Sequence, residues 1–459
     1  MLARLPRRNG ELLGDMSTVT TQTLARDLVA RLQAAGFAAF WVGGCVRDHL
    51  LGREPQDYDI ATDARPAQVE QLFSHTIPVG RQFGVVIVML HDRQFQVATF
   101  RAEADYTDGR RPGTVVFAGA EADASRRDFT VNGLFHDPLT GQTHDWVGGE
   151  ADLRARLIRT IGPPAERFGE DHLRLLRAVR FAAQLNFAIE PETFAAIRPL
   201  APKIKVISAE RVRDELLKLF RPPHAARGLE LLRDSGLLEQ VLPELVPTIG
   251  CEQSPDYHPE GSVFNHIRLM LEKLPADAPA ELPWAVLLHD IAKPVTAERD
   301  AATGKIHFYG HEKVGATMAE TILTRLRFPR KQTEEIAASV LHHMQFKDVK
   351  QMRKATLRRL LLRDTFPLEL ELHRLDCLGS FGGLEHYHFL VAQAELLQQD
   401  PAIRPPLLTG DDLIRLGATP GPALGRLLAE LREQQLADEL KTPDAAREWA
   451  RTKISSDTP

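Results

Sequence analysis

Residues 40–62 read Phe40-Trp41-Val42-Gly43-Gly44-Cys45-Val46-Arg47-Asp48-His49-Leu50-Leu51-Gly52-Arg53-Glu54-Pro55-Gln56-Asp57-Tyr58-Asp59-Ile60-Ala61-Thr62. An apolar run stops at two glycines, a helix-like segment follows, and Gly52 to Pro55 turns the chain into a strand carrying Asp57 and Asp59. Side chains two apart on a strand point to the same face. Two carboxylates crowded there repel unless a proton or a cation lies between them. Mg2+ is the first candidate, because it takes oxygen ligands together with substrate phosphates while keeping several waters. Gly43 and Gly44 offer backbone amides with no Cβ in the way, opening onto a helix N-terminus, and that suits a phosphate chain. The unit therefore predicts a metal-and-triphosphate site.

Either half alone is a weak signal, since Gly-Gly is usually a turn and Asp-x-Asp usually a solvated surface pair. Their conjunction in one strand-turn-helix-turn-strand unit resembles the class II CCA-adding tRNA nucleotidyltransferase and bacterial poly(A) polymerase family. The resemblance implies an α+β fold: a polymerase-beta-type nucleotidyltransferase head, then an all-α neck, an HD-containing body and a helical tail. The expected divisions are a flexible N-terminus over 1–21, the head over 22–162, the neck over 163–245, the body over 246–395 and the tail over 396–459.

Composition is compatible with this. The 459 residues, 43% hydrophobic and 26% charged, suit a soluble globular chain of about three domains. The formal charge of −5 gives no global basic signature, so contact with nucleic acid has to come from local patches. Cys45, Cys251 and Cys377 lie far apart and form no C-x-x-C pair, which argues against a disulfide framework or a cysteine zinc site and fits a reducing cytoplasm. No apolar run approaches the roughly 18 residues of a membrane span. Leu24, Leu28 and Leu32 open the first helical stripe.

Beyond Thr62, strands are expected over 85–90 and 95–100, with Arg101 ending the second. "GRQFGVVIV" and "QVATFR" resemble the family's central strands, with one departure: Gln96 stands where relatives often carry an acid, and it offers only a neutral oxygen. Residues 106–120 lack periodicity and read as a loop, either plain surface or a mobile element over the site. Arg126-Arg127-Asp128-Phe129-Thr130-Val131-Asn132 packs two guanidiniums, a carboxylate and an amide into seven residues. Arginine suits bidentate phosphate contact, and an acid beside it can orient the fork. The string is similar to the family's second motif, which implies that Arg126, Arg127, Asp128 and Asn132 hold triphosphate and ribose, with Gly43, Gly44, Arg47 and Arg101 in the same nucleotide site. Asp145-Trp146-Val147-Gly148-Gly149 resembles the motif that leads out of the head.

Residues 170–181, Glu170-Asp171-His172-Leu173-Arg174-Leu175-Leu176-Arg177-Ala178-Val179-Arg180-Phe181, read as one helix. Arg174, Arg177 and Arg180 fan across about 120° of it, more guanidiniums than the carboxylates there neutralise, so an anion is expected. The string is similar to the family's "EDxxRxxRxxR" helix, which implies that Asp171 and Arg174 read the Watson-Crick edge of the incoming base, with Arg177 and Arg180 on phosphates. A carboxylate and a guanidinium together offer acceptor and donors for both cytosine and adenine. Lys203, Lys205, Arg211 and Arg213 are candidates for RNA contact through shape and phosphates.

From Pro222 on, helical patterns dominate. His266, the pair His289-Asp290 after the apolar run 284–288, His311, His343 and Asp376 recur on successive helices. A lone histidine on an apolar helix is usually a satisfied core residue, but this recurrence suits a divalent metal site. His266, His289, Asp290 and Asp376 resemble the HD metal-dependent phosphohydrolase superfamily, with His311 and His343 as ligands for a second metal. Its chemistry would be attack of an activated water on a phosphoester. In the tail, Thr409 is the expected cap of a helix, and a longer helix is expected over 423–440.

The expected function is template-independent addition of CMP and AMP, as CCA or A, to the 3′ end of tRNA, with Mg2+ as cofactor, ATP and CTP as substrates, and no obligatory protein partner. The rival readings are a poly(A) polymerase on RNA 3′ ends, and an HD phosphohydrolase whose head only binds nucleotide.

Overall fold

The computed structural model describes residues 20–78, 84–104, 114–255, 258–380, 382–399 and 405–456. The stripe Leu24, Leu28, Leu32 is buried on the helix Thr21–Ala34, where the hydroxyl of Thr20 accepts from the Thr23 backbone N–H at 3.1 Å. The expected flexible lead-in thus lies outside the described residues up to position 19, and Thr20 and Thr21 already belong to the helix start.

The chain divides into two compact units after Ile207, a boundary that falls inside the neck as read from the sequence. In the first unit, strands β1 (Ala39–Val42), β2 (Asp59–Thr62), β3 (Thr76–Ile77), β4 (Val85–Leu90) and β5 (Arg93–Thr99) precede a ribbon of β6 (Arg101–Ala104) and β7 (Thr114–Phe117), with β8 (Phe135–His136) and β9 (Thr143–His144) following. One sheet runs β3-β4-β5-β2-β1-β8-β9, and within it only β2 and β5 are parallel. Period-2 alternation explains its core: Val86, Val88, Phe95 and Val97 point inward from β4 and β5. Val42, Ala61, Phe100, Ala124 and Phe135 close a cluster beside the β1–β2 pair.

Four expectations change. The stretch 106–120 is not all loop: residues 105–113 lie outside the described part, while Thr114–Phe117 pairs with Arg101–Ala104, so Arg101 begins a strand instead of ending one. The segment 170–181 is not one helix, because Pro164–Glu170 ends before Asp171, whose backbone is extended, and a new helix runs Leu173–Leu185. The neck is not purely helical, since Leu157–Ile158 and Ala188–Ile189 form a two-stranded parallel pair. The long tail helix is Pro422–Leu436 and stops short of 440, with Asp438 left-handed just beyond it.

Among its described residues the second unit is helical apart from a short hairpin, Glu298–Arg299 with Ile306–His307, and an isolated antiparallel bridge between Glu252 and Ser262. Leu282–Leu288 is buried throughout, which is why an uninterrupted apolar run serves as a helix there. Phe346, Leu357, Leu360, Leu390 and Leu436 form one of its cores. Thr409 caps Gly410–Arg415 as expected, in a reciprocal box in which its backbone N–H donates to Asp412 Oδ2 at 2.8 Å.

Gly149 marks the tightest approach in the head. A Cβ built there would lie 2.2 Å from the Thr130 carbonyl oxygen, a backbone atom that cannot swing away. Gly149→Ala is expected to cost about 2 kcal/mol or more through overpacking, measured as a lower urea midpoint with an unchanged slope.

Candidate functional site

In the register of β1 and β2, Val42 lies opposite Asp59, so the ladder ends where β1 runs into the glycine turn. For that reason the strand starts at Asp59 and Asp57 lies just ahead of it, not within it. The alternation still holds: Tyr58 and Ile60 are buried while Asp57 and Asp59 are exposed. Asp59 is exposed, and its carboxyl is raised by desolvation, with Arg127 opposing this and the charge of Asp57 adding to it. The two carboxylates and Arg127 thus share one electrostatic neighbourhood. Parallel pairing of Ile60 with Val97 sets exposed Gln96 beside Asp59 on the next strand.

Gly43 has φ +73°, a conformation that favours glycine, and a Cβ on it would come within 3.0 Å of Arg127 Nη1. The turn opens the helix Gly44–Leu50. The two guanidiniums of Arg126 and Arg127 converge on one acid that the sequence reading missed, Asp123: Arg126 donates from Nε at 2.9 Å and Nη2 at 2.7 Å, Arg127 from Nη2 at 3.0 Å, and the Arg101 backbone N–H at 3.2 Å. Burial opposes a charge on Asp123, but the two arginines outweigh it and hold its carboxyl below the ordinary value. Arg127 Nε is buried with no hydrogen-bond partner, so this arginine is not fully used by the protein. Only its place three and four residues before the Arg pair could have pointed to Asp123, the spacing of a helix-borne ion pair.

The other sequence candidates are more committed than expected. Arg47 is buried, donating from Nη1 to Asn132 Oδ1 at 2.8 Å and pairing with Asp48. Asn132 Nδ2 donates to Asp128 at 3.1 Å, and Arg177 pairs with Asp128. Asp128 is held far below the ordinary carboxylate range, because Arg177 and the Asn132 hydrogen bond overcome its burial. Arg174 Nη1 pairs with Glu170 and donates to the Arg167 carbonyl at 3.0 Å, and its Nη2 donates to the Arg126 carbonyl at 3.2 Å. Arg180 is buried against the Phe181 ring and donates to Gln184. The arginines expected to outnumber their carboxylates all have partners within the protein, and one neutralising carboxylate, Asp128, comes from 49 residues upstream, beyond any helical spacing rule. Asp171, in the gap between helices, accepts from the Leu173 N–H at 3.0 Å. Lys203 and Lys205 are exposed on the one-and-a-half-turn segment Ala201–Val206. In the second unit, Arg213 is tied to Asp214 and the Arg327 carbonyl, and Arg211 lies on the same helix, Ala209–Leu219.

The second unit gathers its histidines as the sequence suggests. His266, His289 and Asp376 form one group able to hold an ion, and Asp290, His311 and His343 another. Nδ1 of His289, His311 and His343 each donates to the carbonyl three residues earlier, Val286, Phe308 and Val340, at 2.8, 2.7 and 2.6 Å. Their Nε2 atoms therefore carry lone pairs when the rings are neutral. Nε2 of His311 and His343 lie 3.1 Å apart, and those of His311 and His289 lie 3.3 and 3.1 Å from Asp290 oxygens. His289 Nε2 is buried without an aligned hydrogen-bond partner. Lone pairs facing a carboxylate need a cation, and these donors fit a divalent metal. Asp290 lies well below its ordinary value despite burial, through His289 and Lys293, whose Nζ is 2.7 Å away. The sequence reading missed Lys293, Gln253, His258 and Glu260. Glu260 Oε1 accepts from Nδ1 of both His258 and His266, at 2.9 and 2.7 Å, and the string His258-Pro259-Glu260 carried no spacing signal of its own.

A mixed sheet that places a carboxylate pair beside a glycine turn and an arginine pair, followed by a helical unit with a histidine-aspartate centre, defines a nucleotidyltransferase head joined to an HD domain. Comparison agrees. Residues 39–159 match the poly A polymerase head domain, 186–248 the probable RNA and SrmB-binding site of polymerase A, and 257–377 the HD domain. The A-adding tRNA nucleotidyltransferase of Deinococcus radiodurans is 35% identical over 442 residues, 91% of this chain and 96% of that protein. The CCA-adding enzyme of Staphylococcus aureus is 46% identical over 210 residues, 46% of this chain and 52% of that one. The crystal structure of the Bacillus stearothermophilus CCA-adding enzyme in complex with CTP superposes with a TM-score of 0.70 at 27% identity, covering 94% of this chain and 97% of that one. The chain belongs to the tRNA nucleotidyltransferase and poly(A) polymerase family, and it is a nucleotidyl-transferring enzyme with an HD domain. No helix among the described residues is long and apolar enough to cross a membrane.

Asp123 sets a pH limit on the head. Its folded carboxyl lies below the ordinary 3.8, so its stabilising contribution is present above that value and is lost as pH falls through the lower, folded one. Urea unfolding between pH 6 and 2.5 should therefore show a flatter acid limb in Asp123→Asn than in the unsubstituted protein.

Proposed function

We propose that this enzyme adds CMP and AMP to the 3′ end of tRNA without a template. The observation that supports it most is the pair Asp57 and Asp59, exposed side by side next to the Gly43 turn with Arg127 in electrostatic reach. The residues fit a divalent ion: the charge of Asp57 adds to the cost of ionising Asp59, and Gln96 can add a neutral oxygen. Asp57 and Asp59 would hold Mg2+, which supplies charge neutralisation at the α-phosphate and a lower pKa for the terminal 3′-hydroxyl.

The chain's own groups do the rest. Backbone amides at Gly43 and Gly44 and the guanidiniums of Arg126 and Arg127 take the triphosphate, with Asp123 holding the two arginines in place and Arg101 at the same acid. Asp171 and Arg174 take the base edge, and a wrong base leaves buried donors and acceptors unpaired. Attack by the 3′-oxygen on the α-phosphorus expels pyrophosphate. Lys203, Lys205, Arg211 and Arg213 meet RNA phosphates, so affinity for tRNA should fall steeply between 50 and 200 mM salt, on the order of tenfold for each two or three contacts; filter binding that stays flat with salt refutes this assignment.

The deciding experiment gives purified protein a labelled tRNA lacking its CCA end, with CTP, ATP or both and Mg2+, and reads product length on a gel. One added A, a full CCA and a long A tail distinguish the three family activities. Asp57→Ala or Asp59→Ala is expected to lower extension about a thousandfold or more, and equal extension by these variants would remove the assignment.

A second activity is favoured by the two donor groups around His289-Asp290. His266, His289 and Asp376, and Asp290, His311 and His343, would hold divalent ions, which would supply the Lewis acidity a phosphohydrolase needs for attack of water on a phosphoester. Lys293, beside Asp290, carries positive charge to the phosphate. His289→Ala should remove Mn2+ binding by the body, read by electron paramagnetic resonance, together with any release of phosphate from nucleotide esters. Unaltered metal content in that variant would place the ions elsewhere.

A further inference from the structure

Asp128 has no capacity left for a nucleotide. Its Oδ1 accepts from the Phe129 backbone N–H at 2.9 Å and from Asn132 Nδ2 at 3.1 Å. Its Oδ2 accepts from Arg177 Nε at 2.8 Å and Nη2 at 2.5 Å. A carboxylate offers about four lone-pair sites, and all of them are occupied by the protein. Asn132 passes the connection on, because its Oδ1 accepts from Arg47 Nη1 at 2.8 Å. Arg47 sits on the helix Gly44–Leu50 that begins at the glycine turn, and Arg177 on Leu173–Leu185, the helix that starts two residues after Asp171 and carries Arg174 one turn earlier. Arg47, Asn132 and Asp128 are each less than 9% exposed. A continuous line of charge-assisted bonds thus runs inside the first unit from the phosphate cradle to the helix assigned to the base.

We propose that Asp128 is a positioning residue which, with Asn132, fixes the helix bearing Arg174 against the glycine-turn helix, so that choice of base depends on a pair that touches no nucleotide. The inference rests on the nucleotidyltransferase reading. Its physical basis is the fork: a guanidinium gripping one carboxylate oxygen with two N–H groups fixes both distance and rotation of the helix that carries it. Asp128 is buried while the Arg177 side chain is 30% exposed, and breaking their pair would leave the Asp128 charge buried and uncompensated. Selection of a base requires its edge to meet Asp171 and Arg174 within a fraction of an ångström, and displacement there weakens the right nucleotide more than the wrong ones, which were never well matched. A role confined to stability would instead lower the amount of active enzyme, equally for every nucleotide.

The test measures kcat/KM for single addition of CTP, ATP, GTP and UTP to tRNA lacking its 3′ terminal nucleotides, in the full-length protein and in Asp128→Asn, Arg177→Lys and the double variant Asp128→Asn/Arg177→Gln. For the nucleotide that the unsubstituted enzyme prefers, Asp128→Asn is expected to lower kcat/KM about a hundredfold while the disfavoured nucleotides lose much less, so selectivity falls about tenfold. Arg177→Lys, which keeps the charge without the fork and is the gentler change for folding, should fall in between. The double variant, which restores a neutral amide pair, should recover part of the selectivity. Equal losses for all four nucleotides in both single variants, or losses that simply add in the double variant, overturn the proposal. If the unsubstituted enzyme itself adds no nucleotide to any tRNA, the functional reading fails and the inference fails with it, a result separable from the first because it appears without any substitution.

Discussion

The antiparallel pairing of Val42 with Asp59 governs the head. A ladder bond at that position ends β1 where the glycine turn must begin and starts β2 where the second carboxylate must stand. A slip of one residue would send Asp59 to the buried face now held by Ile60 and Tyr58, and the acid pair would face the core. The neighbouring parallel pairing of Ile60 with Val97 carries the same constraint one strand further and brings Gln96 to the site's edge. The arginines around the site have length and rotamers with which to adjust, while strand register has neither.

Much of this was legible in the residues themselves. Gly43 and Gly44 followed by a short helical stretch, and two acids flanking Tyr58, are local patterns, and local patterns are what period-2 alternation and turn chemistry express. The helical body and the His289-Asp290 centre were legible for the same reason: an unbroken apolar run followed at once by two ligand-type residues. What the sequence could not express was partnership over distance. Arg177 looked unpaired because its carboxylate, Asp128, lies 49 residues away, and Arg174 looked like an anion ligand although Glu170 and two backbone carbonyls already hold it. Spacing rules see only neighbours within a turn or two of helix. Asp123 went unread because an acid in front of an arginine pair is ordinary on any helix, and only its burial distinguishes it. The break at Asp171 escaped because the nearby glycine, Gly169, lies within the first helix and not at the break itself; the side chain of Asp171 satisfies the amide of the next helix.

The two sites therefore solve the same electrostatic problem in different ways. In the head, acids left exposed are balanced by a nearby guanidinium and by what binds there. In the body, donors are buried, and Asp290 draws on His289 and Lys293 to remain charged in a low-dielectric interior. Burial fixes the donors of that centre, whereas the head's two acids stand open to solvent.

The three imidazoles that bond back to carbonyls of their own segments carry one last implication. Their orientation is set by backbone that is already in place, so the cavity is shaped before any ion arrives. Such a centre differs from a zinc finger, whose ligands are scattered until the metal collects them. An ion held there would find its imidazoles already oriented by the backbone.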